Sequence, residues 1–171
     1  MTNWGKIYHR KARFTRDEVY GRFGCPPANR SKIVVDLHGE CTSVNQLRLR
    51  VFWNTGFRCV ACSAELTHFF QEAHANDPKV KYLLEFPPAG GGSGIKFHLN
   101  AYGLNEYGHE VMMTIDHIKP RCHGGNNRLH NLTTLCSTCN GKKGADLNWL
   151  KDLPRNSQGF LVPRPHLQNI E

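Results

Sequence analysis

The 171-residue sequence lacks any apolar run of the roughly 20 residues that a membrane-spanning helix needs. Its positively charged start, MTNWGKIYHRKARF, has no apolar block behind it and so does not have the pattern of a secretion signal. No internal repeat is visible either. These absences predict no membrane contact and a cytoplasmic location, which is the host cytoplasm if the protein is phage-encoded.

Acidic residues are scarce, because 14 Asp and Glu face 22 Lys and Arg, giving a formal charge of +8 and a pI near 9.3. Such an excess favours a polyanionic partner such as nucleic acid, although a charge run is often only a solvated face. The scarcity is greatest in DHIKPRCHGGNNRLHNLTTLCSTCNGKKG, residues 116–144. No acid follows Asp116 until Asp146, so this segment is the first candidate for a functional site.

Cysteine, in contrast, is present seven times, which is an odd number that disulfides alone do not explain. Two C-x-x-C pairs stand out, Cys59/Cys62 and Cys136/Cys139. Four thiolates supplied by two tight turns close a tetrahedral zinc site without an open position, which predicts a structural Zn²⁺ ion. The alternative is four unrelated buried thiols. The other three cysteines are predicted to be ordinary small residues, with Cys122 as the first candidate for an exception.

Hydrophobic spacing and turn residues predict the local structure. The predicted elements are a helix over 16–23 capped by Thr15, a strand over 31–37, a helix from Thr42 to Asn54, a helix over 66–76, a hairpin of two strands over 95–116 and a helix over 145–153. Residues 1–16 are either a basic arm lying along phosphates or an ordered start of the domain. PPAGGGSG, residues 87–94, predicts a flexible loop.

The segment 116–144 also carries the groups that phosphodiester hydrolysis needs: a base, a cation site and a rigid frame. His117 is a suitable base, and the carboxylate of Asp116 suits Mg²⁺ or Mn²⁺. Asn140, one peptide bond after Cys139, offers an amide oxygen as a second ligand, and Asn131 is placed to hold His117 across the loop. Each of these residues taken alone also has a purely structural explanation. The basic residues predicted to contact phosphates are Lys119, Arg121, Arg128, Lys142 and Lys143.

The order and spacing of the whole set resemble the HNH endonuclease motif of bacterial and phage proteins. The residues that carry the resemblance are Asp116-His117-Ile118-x-Pro120, Gly124-Gly125, Asn131-Leu132 and Cys136-x-x-Cys139-Asn140-x-x-Lys143-Gly144. The resemblance implies an α+β protein with a ββα-metal core. It makes His117 the general base, Asp116 and Asn140 the ligands of one divalent cation, Asn131 the loop-orienting residue and the four cysteines a structural zinc site.

Asn140 stands where the family usually has His, a variant also seen in phage endonucleases that cut branched DNA. We therefore expect a divalent-metal-dependent DNA endonuclease or nicking enzyme with structural Zn²⁺ and catalytic Mg²⁺ or Mn²⁺. The alternative is a zinc-stabilised nucleic-acid binding module without cleavage. A structural or redox cysteine protein would leave the Asp-His pair unexplained.

The domain organisation follows from where the resemblance lies. We expect a basic N-terminal extension with a short helix over 1–41, an HNH nuclease domain over 42–153 with an insertion at about 63–94, and a C-terminal tail over 154–171. The DNA substrate is left open among random duplex, a specific site, branched DNA and a nick in one strand, and so is the oligomeric state.

Overall fold

The computed structural model describes residues 8–27, 32–89 and 93–163. Within these ranges helices and strands are mixed, as the α+β expectation requires. The strands are β1 (Tyr8–Thr15), β2 (Lys32–Leu37), β3 (Glu40–Asn45), β4 (Glu65–His74), β5 (Phe97–Leu104), β6 (Glu110–His117) and β7 (Leu132–Cys136). The helices are α1 (Arg16–Phe23), α2 (Gln46–Asn54), α3 (Pro78–Glu85) and α4 (Ser137–Lys143), with short 3₁₀ turns at Arg121–His123 and Leu129–Asn131. None of the helices in the described part of the chain has the length and apolar character needed to cross a membrane.

The chain divides into two compact units that alternate along the sequence. The first contains the residues up to Leu47 together with Thr67–Tyr102, and the second contains Arg48–Leu66 and the residues from Gly103 onward. The division into extension, nuclease domain and tail stays a prediction.

The first unit is built around strands in the order β1-β4-β5-β3-β2. β1 pairs antiparallel with β4, from Tyr8 opposite His74 to Thr15 opposite His68, with an irregularity between Arg10 and Ala12. β2 and β3 form an antiparallel pair, and β3 runs parallel to β5. Residues 8–15 therefore form an ordered start rather than a free arm, whereas the rest of the predicted arm, residues 1–7, lies outside the described residues.

Helix α1 confirms the prediction for residues 16–23. The Thr15 side chain accepts the backbone N–H of Glu18, and the Glu18 carboxylate accepts the backbone N–H of Thr15. This reciprocal capping box stabilises the first turn of the helix, and Gly24 ends it. The strand predicted at 31–37 is confirmed as β2 for its described residues.

The helix predicted over residues 66–76 is wrong, because this segment is strand β4. Leu66, Phe69, Phe70 and Ala73 are at helical spacing in the sequence, which is the reason for the error. Leu66, Phe69 and Ala73 are all at most 1 % exposed, and Glu72, on the opposite face from Phe69, is fully buried as well. A strand buried on both faces loses the simple apolar–polar alternation that distinguishes it from a helix.

Two further helix predictions need correction. The helix predicted from Thr42 begins only at Gln46, because residues up to Asn45 belong to β3. The helix predicted over 145–153 is absent. Helix α4 ends at Gly144, where a positive φ of 50° turns the backbone and the N–H of Gly144 bonds the carbonyl of Asn140.

The predicted hairpin is confirmed as β5 and β6, joined by a turn in which Asn105 N–H donates to the His109 carbonyl. β6 also pairs antiparallel with β7, from Met113 opposite Cys136 to His117 opposite Leu132. Helix α4 follows β7 directly. The polypeptide at 55–60 is fixed to β7 by the 2.6 Å hydrogen bond between the Thr55 and Thr134 hydroxyls and by Val60 N–H donating to Thr134 O.

The loop predicted at 87–94 contains residues 90–92, which lie outside the described residues, and the described residues of the segment form no helix or strand. The C-terminal end of this loop, at Ser93, is held by Glu40 of the first unit, a residue that is only 4 % exposed. The Glu40 carboxylate accepts hydrogen bonds from Ser93 N–H at 2.9 Å, from the Ser93 hydroxyl at 2.8 Å and from Lys11 Nζ at 2.5 Å. Burial raises the pKa of Glu40, but the contacts with Lys11 and Ser93 outweigh burial and leave the pKa below its usual value.

A carboxyl group whose pKa is lowered in the folded state stabilises the fold above its unfolded pKa and loses that effect as the pH falls. We expect Glu40→Gln to lower the free energy of unfolding at neutral pH by roughly 1–3 kcal/mol, with the difference shrinking below about pH 4. Urea unfolding at a series of pH values across the acidic range measures this difference in the free energy of unfolding. Glu85→Gln, an exposed carboxyl on α3, is the control. A Glu40→Gln effect that is independent of pH would contradict this role.

Candidate metal and active site

The four cysteines of the two C-x-x-C pairs come together in the second unit. Their sulfur atoms all lie within 4.8 Å of one another. Cys59 and Cys62 are held on a tight turn in which Cys59 N–H donates to Ala64 O and Ser63 N–H donates to Cys59 O. Cys136 caps helix α4 by accepting the backbone N–H of Cys139 at 3.4 Å.

This cluster fits a tetrahedral zinc ion. With zinc–sulfur bonds of about 2.3 Å, the sulfurs of a tetrahedral site lie about 3.8 Å apart. The Sγ atoms of Cys62 and Cys136 are 3.7 Å apart, and Cys59 and Cys136 are at most 1 % exposed. Hydrogen bonds from the thiols of Cys139, Cys59 and Cys62 lower the pKa of Cys136 well below its usual range, whereas the contact with Cys136 raises the pKa of Cys59 and of Cys139. Four sulfur atoms enclosed in protein at this spacing are suited to a cation.

All seven cysteines are free thiols, so no disulfide competes for the four of the cluster. Cys25, Cys41 and Cys122 are exposed and lie outside it. Cys122 is therefore not a fifth member, although it is close in sequence.

Asp116 and His117 occupy the last two positions of β6, where they pair with Thr133 and Leu132 of β7. Neighbouring residues of a strand ordinarily point to opposite faces. Here the strand ends at His117, and its Nδ1 atom lies 4.0 Å from Oδ1 of Asp116. Both side chains are about one-fifth exposed, which makes them accessible to a substrate from one side.

The second carboxylate oxygen of Asp116 faces the buried Lys143. Oδ2 lies 2.8 Å from Lys143 Nζ, yet it is buried and accepts no well-aligned hydrogen bond from the described residues. The Lys143 side chain is only 1 % exposed, and its ammonium group donates to Gly144 O at 3.3 Å. Lys143 therefore does not lie where the sequence-based prediction of a phosphate contact requires, because its charge is used to neutralise Asp116.

Asn140 lies against the same face of β6. Its Nδ2 atom donates to the hydroxyl of Thr114 at 3.1 Å. Thr114 and Asp116 are two residues apart and so share one strand face, and Asn140 and Lys143 share one side of α4. With Nδ2 held by Thr114, Oδ1 is the Asn140 atom that can serve as a metal ligand. Asn140 of α4 thus contacts β6 through Thr114, and Asp116 of β6 contacts α4 through Lys143.

The imidazole of His117 has a partner that the sequence did not reveal. Its Nε2 atom is 2.5 Å from Oδ1 of Asn127. Because an amide oxygen only accepts, Nε2 carries the proton in the neutral ring and Nδ1 is the basic nitrogen. Two asparagines follow Gly124-Gly125, and nothing in their spacing distinguishes Asn127 from Asn126 as this partner.

Asn131 braces the loop rather than the histidine itself. Its Oδ1 accepts Lys119 N–H at 2.8 Å, and its Nδ2 donates to the carbonyls of Lys119 and Asn126. Gly125 allows the loop to close, since a Cβ atom there would lie 1.8 Å from Lys119 O. Asn131 therefore acts on the loop that carries Asn127, the partner of His117.

The other predicted phosphate-contacting residues lie at the surface. The exposed members are Lys119, Arg121, Arg128 and Lys142. All four belong to the second unit, and their charges face solvent, as a contact with a polyanion requires.

The described part of the chain thus has a loop held by asparagine between two antiparallel strands, a short helix after the second strand, and a four-cysteine cluster that could hold a metal ion. Residues 95–146 match the family model HNH endonuclease, which covers less than half of the chain. The match includes Asp116, His117, Asn131 and Asn140. No curated protein and no solved structure gives a significant match. The family assignment for this segment indicates nuclease activity on nucleic acid.

We expect the purified chain to contain close to one zinc ion per molecule. Cys136→Ser should lose most of this zinc and unfold at a lower temperature, because the metal ties the turn at Cys59 to the start of α4. Metal analysis and thermal melting measure both effects. Cys122→Ser, outside the cluster, should keep wild-type zinc. Full zinc in Cys136→Ser would show that the cluster is not the binding site.

Proposed function

We propose that the chain is a divalent-metal-dependent DNA endonuclease or nicking enzyme of the HNH type, with a ββα-metal core formed by β6, β7 and α4. The observation that supports this proposal most directly is the orientation of the His117 ring. Its Nε2 atom is hydrogen-bonded to Asn127, and its Nδ1 atom lies on the side of Asp116. The base is thereby oriented beside a carboxylate whose other oxygen is buried against the Lys143 ammonium group.

In this proposal His117 Nδ1 takes a proton from water as the oxygen of that water attacks the phosphorus atom. The bond from phosphorus to the leaving sugar oxygen breaks, and the leaving oxygen takes a proton from solvent. The imidazole then carries a positive charge, which the Asp116 carboxylate 4.0 Å away stabilises. Asn127 keeps its hydrogen bond to Nε2 throughout, so the ring does not have to turn during proton transfer. Such a fixed general base typically contributes about 10²–10⁴ to the rate.

Asp116 and Asn140 would hold one hard divalent cation, Mg²⁺ or Mn²⁺, because both offer oxygen ligands. When bound, the cation supplies charge stabilisation to the leaving oxygen. The four cysteines would hold the structural Zn²⁺ ion and fix Asn140 through the neighbouring Cys139.

DNA is the proposed substrate, contacted through Lys119, Arg121, Arg128 and Lys142. One such site cuts one strand, so a nick or the cleavage of a branched structure is the expected product. The proposal does not require Lys143 to meet phosphate, since that residue neutralises Asp116.

The Lys143–Asp116 ion pair also favours a second candidate, a zinc-stabilised nucleic-acid binding module without cleavage. An ammonium group 2.8 Å from Oδ2 already supplies positive charge where a cation would sit. In this alternative the pair is permanent and Asp116 never binds a metal. The two candidates differ in their response to divalent cations.

His117→Ala should reduce plasmid nicking in Mg²⁺ or Mn²⁺ by about 10²-fold or more, because the general base is lost. The relaxed fraction of supercoiled plasmid over time measures the rate. His123→Ala, an exposed histidine in the same loop, is the matched control and should nick normally. Wild-type cleavage by His117→Ala would exclude His117 as the base, and a wild-type chain that never nicks would favour the binding module.

Lys143→Met leaves the Asp116 carboxylate without its ammonium partner. We expect the free energy of unfolding in metal-free buffer to fall by roughly 3 kcal/mol. If Asp116 binds a cation, added Mg²⁺ or Mn²⁺ should raise the Tm of this variant more than that of the wild type, since the cation replaces the lost charge.

Lys142→Met, which removes the exposed neighbouring charge, is the control and should respond to the cation like the wild type. Equal Tm shifts in Lys143→Met and the wild type would argue that Asp116 is not a cation ligand and would support the binding module.

A further inference from the structure

The first unit contains a surface cleft that the HNH residues do not explain. It has a volume of about 230 Å³ and lies at the start of α3 and β5. Its lining residues are His74, Asp77, Lys79, Val80, Leu83, Gly94, Ile95, Lys96 and His98. Most of these residues lie before residue 95, where the family match begins.

The base of the cleft is apolar and rigid. Val80 and Ile95 are 8 % and 2 % exposed and belong to a packed cluster with Ala73 and Phe97. Leu83 packs against the same cluster from α3. A fixed apolar floor of this kind suits a flat, weakly polar group such as a nucleobase.

Two imidazole rings and one phenol ring follow one another at the edge of the cleft. The ring centroids of His74 and His98 are 5.9 Å apart, and those of His74 and Tyr8 are 5.0 Å apart. Tyr8 stands opposite His74 in the β1–β4 pairing, so the strand register fixes this row. Rings of this type stack on unpaired bases, and such stacking is largely independent of sequence.

The charge of the cleft is positive. Lys79 and Lys96 are exposed, and they contribute two ammonium groups at the rim. Asp77 is the single acid among the lining residues, and its carboxylate accepts the backbone N–H of Lys79 as the cap of α3. The cleft thus combines an apolar floor and stacking rings with cations that match a phosphate.

We propose that this cleft binds one nucleotide of a single-stranded segment. The base lies against His74 and His98 over the apolar floor, and the phosphate is contacted by Lys79 and Lys96. A cleft smaller than the roughly 300 Å³ of ordinary small-molecule pockets has room for one nucleotide rather than a duplex. The inference rests on the proposed function only in taking nucleic acid as the partner, and it does not require cleavage.

A metal site is the competing explanation for His74 and His98. Among the described residues, however, the cysteine cluster is the group that gathers three or more ligands, and the two histidines are not part of such a group. The cleft therefore favours an organic anion over a metal ion.

Binding of a short fluorescein-labelled oligothymidylate to the full chain, measured by fluorescence anisotropy without divalent cations, tests the proposal. Lys96→Ala and the double variant His74→Ala/His98→Ala should each weaken binding about five- to tenfold, as the loss of one phosphate contact or one stacked base predicts. His98→Phe keeps a stacking ring and should retain most of the affinity. Lys81→Ala, an exposed lysine of α3 outside the lining, should bind like the wild type.

Unchanged affinity in the cleft variants, or an equal loss in Lys81→Ala, would overturn the proposal, and so would oligothymidylate binding that appears only after Zn²⁺ is added. Amide chemical shifts provide a second measurement that does not depend on a variant folding: changes on adding thymidine monophosphate should centre on residues 94–98, and their absence there would also overturn it. Metal-dependent plasmid nicking by the wild-type chain is a separate measurement, so a failure of this inference is distinguishable from a failure of the nuclease proposal.

Discussion

The second unit depends on one constraint, which is that four sulfur atoms from two distant turns must occupy a space less than 5 Å across. Cys59 and Cys62 lie on one turn, and Cys136 and Cys139 open helix α4. Four thiols in so small a volume are stable together when a cation shares their charge. Asn140 follows Cys139 directly in α4. The constraint on the four sulfur atoms therefore also sets where the amide of Asn140 and the buried Lys143 of the same helix meet β6.

The loop between β6 and β7 is the second feature that fixes the positions of the candidate site residues. Asn131 satisfies three backbone groups of this loop, and the loop in turn presents Asn127 to His117. The histidine is thus oriented by a side chain that is itself held by backbone hydrogen bonds. In the proposed mechanism, this removes rotational freedom from the base before substrate binds, which is the condition for efficient proton transfer.

Sequence reasoning identified the four cysteines, the Asp-His pair and the capped helix α1, because each is encoded within a few residues. The helix predicted at β4 is wrong because a strand buried on both faces imitates the helical spacing of apolar residues. The helix predicted after Gly144 is absent because the backbone conformation at Gly144, rather than the side-chain pattern, ends α4. Sequence reasoning also placed Lys143 at the surface. The run Gly-Lys-Lys-Gly looks uniformly basic, and only the packing of α4 on β6 distinguishes the exposed Lys142 from the buried Lys143.

The sequence by itself determined which chemical groups are present and their order: thiols in pairs, a carboxylate beside an imidazole, and an amide one peptide bond from the last cysteine of the cluster. The tertiary structure alone decided which of these groups meet. The contacts of Asp116 with Lys143, of His117 with Asn127 and of His74 with His98 all join residues from different segments of the chain. The physical reason is that such contacts depend on strand register and helix packing. Register and packing are set by the burial of apolar side chains across a whole unit and not by any short stretch of residues.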